Sequence, residues 1–170
     1  MLVIGIDPGT AITGYGLVRQ VGAGQLEAVD WGVILTPAKT AMAQRLDQIY
    51  EGLNAVLQEH QPTSAAVEAL FFQKNVRTAM SVGQARGVAL LALQQAGLAI
   101  EDYSPNEIKQ AVSGYGSADK RQVQTMVKTL LDLKEIPKPD DAADALAVAI
   151  CHLHSEKTRQ AIDLAQSQSR

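Results

Sequence analysis

A single cysteine, Cys151, stands in a chain of 170 residues. Its isolation excludes an internal disulfide and a thiolate metal cage, and fits a reducing compartment. Its expected place is a buried helix face, where it serves as a small apolar residue. Aromatics are sparse at 4%, while the apolar share of 46% is ordinary for a globular protein. Long hydrophobic runs are missing as well. The opening stretch from Met1 to Asp7 carries no basic residue, and its apolar run is far too short for a signal peptide or a membrane span. The expectation is a soluble, cytoplasmic protein without a membrane partner. An excess of positive charge is also lacking: the net charge is −3, which at first sight argues against a nucleic-acid partner. Two divalent cations bound among the acids would offset that excess, so local clustering is more informative than the total.

The elements follow from periodicity. Residues 2–6 form a continuous apolar run ending at Asp7-Pro8-Gly9-Thr10, which reads as a buried central strand and a tight turn. Thr13 to Val18 and Glu27 to Ile34 read as two further strands around Gly22-Ala23-Gly24, and the short spacing predicts an antiparallel meander. From Ala41 the period becomes helical, with Met42, Leu46, Ile49, Leu53, Val56 and Leu57 on one face. Ala65 to Glu68 reads as a fourth strand, again ending in an acid. Gln73 to Gln95 reads as a long helix whose second half is apolar on every side and needs cover on more than one face. Leu98 to Tyr103 is a fifth strand. Ser104, Pro105 and Glu107 then make a capping box with proline at the first helical position, opening a short helix to about Val112. A glycine-rich loop leads to a helix striped by Val123, Val127, Leu130 and Leu131. Asp140 is placed to cap a last helix that runs to about His154. The expectation is one α/β domain over residues 1–155, a mixed five-stranded sheet flanked by helices on both faces. Residues 156–170 are polar and expected to fray.

Two of the expected strands end in acids, Asp7 and Glu68. An acid there costs several kcal/mol to desolvate unless it is paired or bound to metal. Strand ends at one edge of an α/β sheet are also the usual place for a site. Asp141 and Asp144, three residues apart, share one face of the last helix. Small alanines surround them, and no cation stands within one turn. An all-carboxylate set selects hard ions, Mg²⁺ or in its place Mn²⁺. Two such ions can activate water and stabilise a leaving oxygen in phosphodiester hydrolysis. Each acid taken alone is equally well read as a solvated residue or a cap, and Asp140 is read as a cap.

Several motifs together resemble the RuvC family of Holliday junction resolvases. They are Ile6-Asp7-Pro8-Gly9-Thr10 with Thr13-Gly14-Tyr15-Gly16; Val67-Glu68; Lys74-Asn75; Gly83-Gln84-Ala85-Arg86-Gly87; Tyr103-Ser104-Pro105; Lys109-Gln110; Gly114 to Lys120; and Asp141 to Ala147. The resemblance spans nearly the whole chain in order. It implies an RNase H-like fold and a homodimer. It also implies Mg²⁺-dependent, paired cuts in two strands of like polarity in a four-way DNA junction, during recombination and repair. Cooperation with the RuvA–RuvB branch-migration complex is implied too. Carried over by position, Asp7, Glu68, Asp141 and Asp144 match the family's metal-binding acids. Phe71 matches an aromatic that stacks on a junction base, and Lys109 and Lys120 match basic residues near the scissile strand. The sequence departs from the pattern at Phe72, a second aromatic beside Phe71 and equally a candidate to stack on DNA while the other packs in the core, and at Asp140, an extra acid beside Asp141.

Lys74, Arg77, Arg86, Lys109, Lys120 and Arg121 are candidates for phosphate contact, which positions DNA and makes binding salt-dependent. Tyr115, in the glycine-rich loop, is placed either to stack on DNA or to pack. His152 and His154 read as exposed or helix-end residues. A four-way junction is close to two-fold symmetric, so a C2 dimer suits it; the helix at Gln73–Gln95 is the expected part of the interface.

Two rivals stand beside this reading. The segment from Asp7 to Gly14 also has the form of the first phosphate loop of the sugar-kinase, actin and Hsp70 phosphotransferases. Those proteins need two such domains, and this chain has length for one. The other rival is a non-catalytic junction-binding protein on the same fold, against which the full set of four acids argues.

Overall fold

Alternation along the first apolar run sets the architecture, because its residues are buried on both sides. The computed structural model describes residues 1–22, 24–70 and 76–168; for 76–78 and 159–168 it describes the backbone alone. Strands β1 (Leu2–Asp7), β2 (Ile12–Val21) and β3 (Gln25–Leu35) form the expected antiparallel meander. Strands β4 (Ser64–Glu68) and β5 (Ala99–Tyr103) join in parallel, giving the order β3-β2-β1-β4-β5. Helices α1 (Met42–His60) and α2 (Val76–Gln95) lie between strands in sequence, and α3 (Pro105–Ser113), α4 (Lys120–Leu130) and α5 (Asp140–Gln168) follow the last strand.

The sheet separates two cores. On one face Ile4, Ile6, Leu17, Ala65 and Val67 meet Ile49, Leu53 and Leu57 of α1 and Ala85, Ala89 and Leu93 of α2. On the other face Val3, Val18, Ala66 and Tyr103 meet Leu146 to Ile150 of α5, with α3 and α4 packed outside. Asp7 has the parity of Val3, and Glu68 that of Ala66. Period-2 alternation therefore points both acids to the α5 face.

The capping box at Ser104 and Glu107 forms as expected, and Gly114 ends α3 in the left-handed region. A second capping box, Asp119 with Gln122, opens α4. Cys151 is buried, and burial pushes its thiol up to about 12, so it is an inert core residue as expected.

Three expectations are corrected. The last helix does not stop near His154: the backbone stays helical to Gln168. Asp140 is the first residue of α5 rather than its cap; the amide of Ala142 bonds instead to the Pro139 carbonyl at 3.0 Å. His152 is not at the surface. It is 2% exposed, with its ring nitrogens 2.7 Å from Ser64 Oγ and 3.1 Å from Tyr103 Oη, so it ties α5 to β4 and β5. His154 is half-buried, its Nδ1 3.0 Å from the Ala111 carbonyl oxygen. A histidine in an apolar helix is buried at acceptable cost when both nitrogens have partners.

Candidate active site

Parallel pairing of Ile6 with Val67 sets the next residues, Asp7 and Glu68, side by side at the C-terminal edge of the central strands. The turn after Asp7 is tied down from three elements. Thr13 Oγ1 donates to the Gly9 carbonyl at 2.6 Å, and Thr10 Oγ1 to that of Ser81 in α2 at 2.7 Å. Thr36 Oγ1 donates to the Thr10 carbonyl at 2.5 Å, and Arg45 Nε of α1 donates to Thr36 Oγ1 at 2.7 Å.

The other two acids arrive on α5, and glycines decide how close that helix comes. A methyl group on Gly14 would stand 2.1 Å from the Asp141 carbonyl oxygen. On Gly16 it would stand 2.7 Å from the Leu146 amide nitrogen, and on Gly5 2.2 Å from the Ala145 carbonyl oxygen. Any side chain at these positions would collide with backbone, so α5 rests on β1 and β2 only because they are bare there. The first turns of α5 thereby bring Asp141 and Asp144 over the end of β1.

All four acids are half-buried, and burial raises the carboxyls of Asp7, Glu68 and Asp144. Burial first, then the charges of Glu68 and Asp144, raise Asp7 from 3.8 to about 8. A hydrogen bond with Glu68 and the charge of Asp141 add to the rise. Burial likewise raises Glu68, opposed by its hydrogen bond with Asp7 and by the charges of Lys109 and Lys120. Burial raises Asp144 too, opposed by Lys120. Acids held this far toward the neutral form, in mutual contact, call for added positive charge.

Lys120 supplies part of it. Its Nζ lies 3.1 Å from Asp144 and 3.2 Å from Asp140. Lys109 and Lys120 share with Glu68 and Asp144 a cavity of about 190 Å³, and Asp7 and Glu68 open on the other side to a depression of about 340 Å³. Among the described residues, no three His, Cys, Asp or Glu groups are gathered closely enough to hold a metal ion as they stand. The donor set still fits a hard divalent cation: all-oxygen, half-buried and short of positive charge. Asp144 would have to give up Lys120 to join it.

The remaining sequence-based candidates divide. Phe71, Phe72 and Lys74 lie outside the described residues, and Arg77 stands in the first turn of α2 with its side chain undescribed. Arg121 is exposed at the start of α4 and lines a depression with Tyr115, away from the acids. Arg86 is committed to Asp102 at 2.6 Å. The sequence reading missed the threonine ties and the glycine seam. The repeated Gly-x-Gly at Gly14 and Gly16, opposite an alanine-rich helix, was the available signal for the seam.

A mixed sheet whose central strands end in acids, faced by an acidic helix on a bare glycine seam, defines an RNase H-like nuclease. The family described as crossover junction endodeoxyribonuclease RuvC matches residues 3–152. The protein of that name from Heliobacterium modesticaldum is 57% identical over 155 residues, 91% of this chain and 95% of the relative. That from Chloroflexus aggregans is 57% identical over 160 residues, 94% and 97% of the two chains. Among solved structures, Thermus thermophilus RuvC in complex with a Holliday junction substrate superposes with a TM-score of 0.85 at 34% identity, covering 93% of this chain and 96% of that one. The yeast mitochondrial Holliday junction resolvase, at TM-score 0.71 and 14% identity over 99% of this chain and 86% of that one, shows the fold alone. This chain belongs to the RuvC family of crossover junction endodeoxyribonucleases, which are metal-dependent nucleases. Membership decides against the phosphotransferase reading of the segment from Asp7 to Gly14.

Proposed function

We propose that Asp7, Glu68, Asp141 and Asp144 are the metal ligands with which this chain resolves four-way DNA junctions. The observation that carries the assignment is geometric: strand pairing sets Asp7 and Glu68 side by side at one sheet edge, and the glycine seam brings Asp141 and Asp144 of α5 over them. Two Mg²⁺ ions, or Mn²⁺ in their place, suit the oxygen donors. Bound there, they would lower the pKa of a water and stabilise the charge that builds on the phosphodiester oxygens. The chain does the rest. Asp7 and Glu68, whose carboxyls burial raises, would have to be deprotonated to hold the ions, so metal affinity is expected to rise with pH. Lys109 and Lys120, which line one cavity with Glu68, neutralise the scissile phosphate, and the strand ends hold the donors in place.

Lys74, Arg77 and Arg121 extend the contact along the phosphates, and Phe71 or Phe72 stacks on an unpaired base at the crossover. The enzyme works as a homodimer with one site per strand. Supporting this, α2 leaves two large apolar side chains, Met80 and Leu91, 65% and 51% exposed. RuvA–RuvB is the proposed partner complex, and the cytoplasm the proposed location. No helix among the described residues is long and apolar enough to cross a membrane.

The test is a synthetic four-way junction incubated with the protein and Mg²⁺. Paired nicks in strands of like polarity that vanish in Asp7→Asn, with binding kept, support the assignment. Binding without nicking by the unaltered protein supports a non-catalytic junction binder instead. Sedimentation showing only monomer at micromolar concentration would remove the dimer.

A further inference from the structure

Asp140 stands outside the four acids, and nothing in the proposed reaction uses it. Its position is nevertheless specific. Lys120 Nζ lies between two carboxylates, 3.2 Å from Asp140 and 3.1 Å from Asp144. Asp140 is exposed on the first residue of α5, whereas Asp144 lies half-buried one turn further in. One ammonium therefore has two berths, an outer and an inner, on the same helix.

The inner berth is a proposed metal ligand, and a carboxylate cannot fully serve a divalent cation while paired with an ammonium. Cation binding must loosen Lys120 from Asp144. An ammonium with no second partner would compete with the cation at full strength, or swing into solvent once displaced. An ammonium already bonded to Asp140 does neither. It shifts its weight outward and stays at the rim of the cavity that Glu68, Lys109 and Asp144 line. We propose that Asp140 is a positioning residue, an outer berth that takes Lys120 from Asp144 as the divalent cation binds and keeps its ammonium beside the scissile phosphate. The proposal rests on the metal-site assignment above.

The pair is exposed, with side chains 55% and 62% accessible, so its strength is that of a surface ion pair. Such pairs are weak, and the expected effects are correspondingly a few-fold. A rival role for Asp140 is that its negative charge simply attracts the cation, and Lys120 discriminates the two. In the berth mechanism, removing Asp140 matters only while Lys120 is present.

The experiment measures the Mg²⁺ concentration giving half the maximal rise in melting temperature for the full chain. The variants are Asp140→Asn, Asp140→Glu, Lys120→Ala and the double variant Asp140→Asn/Lys120→Ala. Single-turnover junction cleavage at saturating Mg²⁺ is run in parallel. Expected is a half-saturation about threefold higher in Asp140→Asn, near-wild-type behaviour in Asp140→Glu, and no difference between the double variant and Lys120→Ala. Cleavage by Asp140→Asn should fall about three- to fivefold at unchanged junction affinity. Equal half-saturation in Asp140→Asn and wild type, or a threefold shift that persists without Lys120, overturns the proposal while leaving the metal site intact. A wild-type protein whose melting does not respond to Mg²⁺ overturns the metal-site assignment first and the berth with it.

Discussion

The two faces of the sheet are packed by different rules. On the α1/α2 face, bulky aliphatics fill the space: Ile4, Ile6 and Leu17 interlock with Ile49, Leu53 and Leu57. Nearest the acids on the α5 face there is almost no side chain at all, only Gly5, Gly14 and Gly16 against the backbone of Asp141, Ala145, Leu146 and Ala149. The first face gives stability and tolerates adjustment, because side chains can shift rotamer. The second gives position, because backbone on backbone leaves nothing to adjust. That is where four mutually repelling acids must be held, and their repulsion is a cost that the buried apolar area of the other face offsets.

The largest expected effect lies in the acids themselves. Asp7→Asn should lower junction cleavage by about a thousandfold or more, read as nicked product per turnover, with junction affinity within a few-fold. It should not destabilise the protein. Lys120→Ala comes next: a loss of roughly tenfold in kcat with a smaller change in junction affinity, since the proposed electrostatic contact to the reacting phosphate is removed rather than the metal.

The acids also set a pH dependence whose sign is fixed. The Asp7 carboxyl rises from 3.8 unfolded to about 8 folded. The stability this contributes is complete below about pH 4 and is lost as pH climbs through 8. In EDTA the melting temperature should therefore fall between pH 5 and pH 8, by several degrees for a chain of this size. Asp7→Asn should flatten that slope and Mg²⁺ should counter it; a melting temperature that rises steadily toward pH 8 in EDTA would contradict the assignment. The smallest effect belongs to Ser64→Ala. Loss of its 2.7 Å bond to His152 should cost about 1 kcal/mol in chemical denaturation and leave cleavage unchanged.

Much of this was legible in the sequence because it is written locally. The apolar run into Asp7, the meander around Gly22, the capping box at Ser104 and Glu107, and the shared face of Asp141 and Asp144 each depend on a few neighbouring residues. Even the direction of Asp7 and Glu68 toward α5 is implicit in strand parity. What was not legible depends on partners distant in sequence. Asp140 looks like a cap until Lys120, twenty residues earlier, is seen to hold it. His152 looks like a surface residue until Ser64 and Tyr103 are brought to its two nitrogens. The stretch after Ser155 is mostly polar, with only Ala161, Ile162, Leu164 and Ala165 as apolar residues, and propensity alone does not reveal that its backbone stays helical. The capping box at Asp119 and Gln122 was local and simply passed over.

The central claim is that the glycine seam positions the acids while the opposite face supplies bulk stability. A matched pair of substitutions tests it. Gly14→Ala places a methyl 2.1 Å from the Asp141 carbonyl oxygen, and Leu53→Ala empties a fully buried site on the other face at a cost of about 2–5 kcal/mol. Junction cleavage in Mg²⁺ is measured for both at a temperature where circular dichroism shows each folded, and expressed per folded molecule. The expected result is a loss of about a hundredfold in Gly14→Ala and less than threefold in Leu53→Ala. Wild-type cleavage by folded Gly14→Ala, or an equal loss in Leu53→Ala, would contradict the claim.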